Sequence, residues 1–102
     1  MSHAVWTPLA EAELEDIVYY IAVKDRRPLT AERIARGIHN RAENAADKSA
    51  IWRKHPDLPP DWFYVLHKRW VIVFMKHPVG IEVLRVIDAS RDFTRLFGGL
   101  SD

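Results

Sequence analysis

The chain has no cysteine, only four glycines in 102 residues, and almost no net charge. Without cysteine there is no disulfide framework, no thiolate nucleophile and no thiolate zinc site, and a reducing cytoplasm is the simplest setting. No apolar run approaches the roughly 20 residues that span a bilayer, so no membrane partner is expected. Met1 to Thr7 lacks the basic leader and apolar stretch of a signal peptide. The formal charge of +1, from 15 Lys+Arg and 14 Asp+Glu, argues against direct nucleic-acid binding by bulk charge. His3, His39, His55, His67 and His77 are scattered without metal-ligand spacing, so neither a metal nor a cofactor is expected. Internal repeats and low-complexity tracts are absent as well.

What is present is an ordinary globular composition, 48% apolar, over a length that suits one domain spanning residues 1–102. A chain of this size buries about 65% of its unfolded surface. Charge is polarised along it. Residues 1–25 hold five acids (Glu11, Glu13, Glu15, Asp16, Asp25) and one base, Lys24. Residues 62–95 hold six bases (Lys68, Arg69, Lys76, Arg85, Arg91, Arg95) against three acids. Such a local basic surface can attract an anionic partner at near-zero total charge.

A short opening strand, about His3 to Thr7, leads into a helix capped by Thr7 with Pro8 at its first position. Leu14, Ile17, Val18 and Ile21 form its apolar stripe, and the helix should end near Lys24, where Pro28 biases Arg27 out of the helical region. The adjacent Tyr19 and Tyr20 should divide, one inward and one free. After a connection of about five residues, Thr30 can cap a second helix running to about Lys48. Its inward face would be Ile34, Ile38, Ala42 and Ala45, with Arg33, Arg36, Arg41, Glu32 and Glu43 outside. The two helices should form an antiparallel hairpin. Residues 54–61 are a proline-rich connection.

Three strands follow: 62–69, 70–76 and 81–88. Their joints are too short for a parallel crossover, so they should be antiparallel neighbours. Apolar residues alternate on both faces of Trp70 to Met75, which suggests a central strand covered on both sides. The order is β-α-α-β-β-β, a helical hairpin on one face of a small, mainly antiparallel sheet. The face away from the helices, with its arginines, is where function is expected.

This order and the wording of its segments resemble the RelE/ParE superfamily of toxins from type II toxin–antitoxin modules. WTPLAEAELEDIVYYIA (6–22) is similar to the family's opening strand and helix, and IEVLRVIDASRDF (81–93) to the ending of ParE-type members. The resemblance implies an α+β, RelE/ParE-like domain and a cognate antitoxin, ParD-like or other, that neutralises it. RelE-type relatives cleave messenger RNA in the ribosome, whereas ParE-type relatives poison DNA gyrase. Set onto this chain, the RelE-type lysines fall near Trp62 and Tyr64, the strand arginine at Val71 and the tail tyrosine at Phe97. Only Arg91 matches. The resemblance therefore favours a ParE-like gyrase inhibitor without catalytic residues. A RelE-like endoribonuclease, or a non-toxic binding module or co-repressor of the same fold, stays open. Expected target contacts are Arg85, Arg91, Arg95, Phe97 and Lys68. Expected antitoxin contacts are Trp6, Tyr19, Tyr20 and Trp70, with two or more of the four tryptophans lining a groove that the antitoxin covers.

Overall fold

A computed structural model of the chain describes residues 2–89. Strand β1 (His3–Trp6) leads directly into helix α1 (Pro8–Tyr19), which continues as one π-helical turn, Tyr20–Lys24. Helix α2 (Pro28–Asp47) follows, then a 3-10 turn (Ser49–Ile51), and then strands β2 (Trp62–His67), β3 (Trp70–His77) and β4 (Gly80–Asp88). The sheet order is β1-β4-β3-β2. The β2–β3 and β3–β4 pairs are antiparallel across two-residue turns, as short joints require, while β1 lies parallel to β4. The fold is α+β, two helices packed against a four-stranded mixed sheet.

Local chemistry accounts for the helix ends. The Thr7 hydroxyl accepts the Ala10 N–H at 3.1 Å, and Pro8 occupies the first turn. The second helix starts earlier than the Thr30 reading has it. Arg27, at φ −127°, is the flanking residue, and Pro28 opens the helix, where a missing N–H leaves nothing unpaired. The connection is accordingly three residues, Asp25 to Arg27, and Arg26 takes a left-handed conformation at φ 55° to make it.

The main core lies between helices and sheet. Leu14 of α1 and Ile34, Ile38, Ala42 and Ala45 of α2 form one cluster with Val65, Trp70, Ile72, Phe74, Ile81, Val83 and Val86 of the sheet. Small alanines on α2 let it approach the strands closely. Trp52 is part of this core: it packs on Phe63 and Phe74 at 4.9 and 5.2 Å, and its Nε1 donates to the Ala45 carbonyl at 2.6 Å. The opposite face of the sheet carries a second apolar cluster, Leu58, Tyr64, Val71 and Val73, with Trp62, Leu66 and Ile87 against it. Strand β3 thus feeds both clusters, as its alternation implies. The expectation of a cationic far face is corrected here, because that face is apolar across β2 and β3.

Side chains also close the sheet's edges. The Ala4 N–H donates to the Glu43 carboxylate (3.3 Å to each oxygen), and Arg41 Nε donates to the Leu66 carbonyl at 2.9 Å. Arg41 therefore serves the sheet rather than an outer solvated face, whereas Glu43 is exposed as expected and also caps the β1 edge. Arg53 pairs with Tyr64 beside β2. Capped edges resist pairing with other chains.

Where α2 crosses the end of β2, Gly37 leaves room for His67. A Cβ there would lie 2.2 Å from His67 Nε2. Burial, then the charges of Lys68 and Arg41, hold the His67 pKa below its usual value, so the ring is neutral at pH 7. Gly37→Ala should destabilise the protein by about 1–2 kcal/mol, because displacing the ring outweighs the helix propensity gained. In a His67→Ala background the same change should stabilise by up to about 1 kcal/mol. Denaturant titration of the four proteins measures both values.

Candidate partner-binding groove

Helical geometry sets what α1 shows to the outside. Leu14, Ile17, Val18 and Ile21 fall on one side of the 3.6-residue period, and Tyr19 and Tyr20 fall on the other. Both tyrosines are exposed, at 57% and 58%, which corrects the expectation that one packs inward. Just beyond them the helix widens. The Asp25 N–H donates to the Tyr20 carbonyl at 3.0 Å, a five-residue step, and π turns of this kind recur at functional sites.

A groove of about 690 Å³ opens between this widened end of α1, the start of α2, and the end of the sheet where β3 begins and β4 finishes. Helix α1 and the π turn contribute Asp16, Ile17, Tyr20 and Ile21. The hairpin tip and α2 contribute Asp25, Arg27, Thr30 and Ile34, and the sheet contributes Arg69, Trp70 and Asp88. Trp70 is 6% exposed and makes the floor rather than a projecting anchor. Arg69 forms the far wall, bonded through Nη2 to Asp88 Oδ2 at 2.7 Å and lying 5.3 Å from the Trp70 ring centre. Apolar surface below and charged groups at the rim are the makings of a site for a polypeptide segment.

The expected antitoxin contacts fall in three places. Tyr20 and Trp70 meet in the groove, and Tyr19 lies exposed beside it on the same helix. Trp6 is elsewhere, half-buried at the β1 edge with its ring 4.7 Å from His39. Of the four tryptophans only Trp70 lines the groove. Trp52, just after the 3-10 turn, is drawn into the main core with its Nε1 bonded to the Ala45 carbonyl, and Trp62 joins the second cluster through the alternation of β2.

The expected target contacts are more dispersed. Lys68 stands in the turn beside the groove wall, in a left-handed conformation at φ 53°. Arg85 is not a free cation: its guanidinium makes bonds of 2.7 to 3.0 Å to the Glu13 carboxylate, which also accepts the Val86 N–H at 2.9 Å. Arg91, Arg95 and Phe97 lie outside the described residues. Sequence reasoning missed Asp16, Asp25, Arg27, Arg69 and Asp88. The Lys68-Arg69 turn was the available signal, since a hairpin there places Arg69 next to the end of β4.

The architecture is that of the RelE/ParE-like toxins, and comparison with known proteins narrows it. The model of the ParE toxin of type II toxin–antitoxin systems (parDE) matches residues 4–93. The chain belongs to this family. Among solved structures it is similar to a chain from the chromosomal ParDE toxin–antitoxin system of P. aeruginosa. The TM-score is 0.67 at 20% identity, over 86% of this chain and 96% of that one, a likeness of fold. No curated protein matches the sequence. No helix among the described residues is long and apolar enough to cross a membrane.

Proposed function

We propose that this chain is the toxin of a type II module, that it acts by binding DNA gyrase in the bacterial cytoplasm, and that an antitoxin silences it by occupying the groove between α1 and Trp70. The family match over residues 4–93 carries the reading. The groove supplies a place for the antitoxin, since Tyr20 and Trp70 bring aromatic surface to one concavity. Inhibition is by occupancy, with no bond made or broken in the target by this chain's side chains. Val71, where a ribonuclease of this fold would place an arginine, is fully buried in the second apolar cluster. Lys68, Arg91, Arg95 and Phe97 are assigned to the target; Arg85 is withdrawn, because Glu13 holds it.

Expression of the chain alone in growing bacteria tests this. Filamentation with induction of the DNA-damage response is expected, with rescue by the co-expressed antitoxin. Arg91→Ala should weaken the toxicity at least about tenfold while leaving the melting temperature and antitoxin binding unchanged, as for loss of an interfacial arginine. Rapid cleavage of translated messages would overturn the gyrase assignment, and unaffected growth would indicate a non-toxic binding module.

A further inference from the structure

The groove is lined by both signs of charge, and they are sorted. On α1 the charged residue of the lining is Asp16, which is exposed. At the hairpin tip the exposed run is Lys24, Asp25, Arg26 and Arg27, three bases to one acid. No hydrogen bond or ion pair engages the side chains of Asp16, Asp25 or Arg27 among the described residues, whereas the third carboxylate of the lining, Asp88, holds Arg69. Asp16 stands on α1 before the π turn, and Arg27 stands beyond it at the start of α2. Between them lies the apolar floor of Ile17, Ile21 and Trp70.

An apolar floor of this kind does not by itself fix which way a hydrophobic segment lies, because burial of apolar surface is non-directional and follows area. Sorted charge at the rim discriminates, because a segment laid in the wrong direction or carrying the wrong signs meets like charge. We infer that Asp16 and Arg27 are specificity-determining residues of this groove. Its occupant is an amphipathic segment of the antitoxin bearing a basic residue opposite Asp16, an apolar anchor over Trp70, and an acidic residue opposite Arg27. The signs fix the direction in which the segment lies. This rests on the antitoxin reading of the groove and adds to it the chemistry of the partner.

The test uses the full chain and its full-length co-expressed antitoxin. Asp16→Lys and Arg27→Glu should each weaken the complex about tenfold or more, and reversing the facing antitoxin residue should restore most of the loss. Arg36→Glu, on the outer face of α2, should leave affinity within about twofold, as a charge outside the interface does. Affinity of the unaltered pair should fall severalfold, in order-of-magnitude terms, between low and high salt. Exposed charges such as these leave the fold intact, which thermal melting verifies. If Tyr20→Ala breaks the complex but both reversals stay within about twofold of the unaltered protein, the charge code is wrong and the groove reading survives. Affinity independent of salt overturns the inference in the same way. If the unaltered chain captures no antitoxin, the proposed function itself fails.

Discussion

Glu13→Ala should cost the domain about 3 kcal/mol, a loss out of proportion to a glutamate on a surface helix. The reason is what the carboxylate replaces. Strand β1 ends at Trp6, so β4 loses its parallel neighbour after Val83 and its backbone would face an empty edge. Helix α1 runs along that edge and supplies side chains in place of a strand. The Thr7 hydroxyl donates to the Leu84 carbonyl at 3.2 Å, and the Glu13 carboxylate accepts the Val86 N–H. Arg85 neutralises the carboxylate with a two-pronged contact, and the pair's side chains are 28% and 18% exposed. Removing the carboxylate leaves an amide without its partner and a guanidinium without its counter-charge, both partly shielded from water. Arg85→Ala should cost less, about 1–2 kcal/mol, because the Glu13–Val86 bond survives and the exposed fraction of the pair screens its charges. Glu13→Gln should fall between, keeping an acceptor for Val86 but losing the charge. A double-mutant cycle by denaturant titration separates the two contributions, and equal effects for all three single variants would show that the carboxylate has no separate role on the strand. At roughly 4–8 °C per kcal/mol for a domain of this size, Glu13→Ala should lower the melting temperature by about 15 °C.

The Glu13–Arg85 contact also marks where sequence reading stops. Interactions local to one element were legible: the Thr7 cap, the Leu14–Ile21 stripe, the Ile34–Ala45 face and both antiparallel hairpins follow from residue period and joint length. Pro28 was itself a helix-start signal stronger than Thr30, since proline's fixed φ suits the first helical turn. Contacts across long separations left no such trace. Glu13 and Arg85 are 72 residues apart, and nothing near either indicates the other. The parallel β1–β4 pairing is equally remote. The bulge in β4 was hidden as well. The two-residue turn before Gly80 pairs His77 with Gly80, and a regular ladder from there would set Ile87 opposite Trp70. The extra residue, Leu84, moves the register by one, so Asp88 meets Trp70 and can hold Arg69 at the groove wall. Of the groove, the aromatic members were visible as unusual surface-capable residues. Its charged rim was not, because it is assembled from the π turn, the hairpin tip and that shifted register.

Gly80→Ala should be more damaging than Gly37→Ala, the other glycine-to-alanine change among the described residues, at about 3–4 kcal/mol, combining backbone strain with a steric collision. Gly80 sits at φ 145°, a conformation that residues with a Cβ rarely adopt. A Cβ on this backbone would lie 2.3 Å from the His3 carbonyl oxygen and 2.8 Å from its nitrogen. Those are main-chain atoms of the paired strand, so no rotamer change relieves the contact. The strand itself must retreat, breaking the 2.7 Å bond from the His3 N–H to the Val79 carbonyl and loosening the His3–Gly80 register from which the parallel ladder runs. Damage should then travel along the chain. Strand β1 delivers Thr7, which caps α1 and closes the β4 edge, and α1 carries Asp16, Ile17 and Tyr20 to the groove. Hydrogen exchange should therefore show faster exchange at Val5, Thr7 and Ala10 in Gly80→Ala, with the β2–β3 amides protected to the reduced global limit. Antitoxin binding should weaken in step with loss of order in α1. A variant that kept slow exchange at Thr7 and Ala10 would show that the groove is held by α2 and the sheet alone, without help from the opening strand.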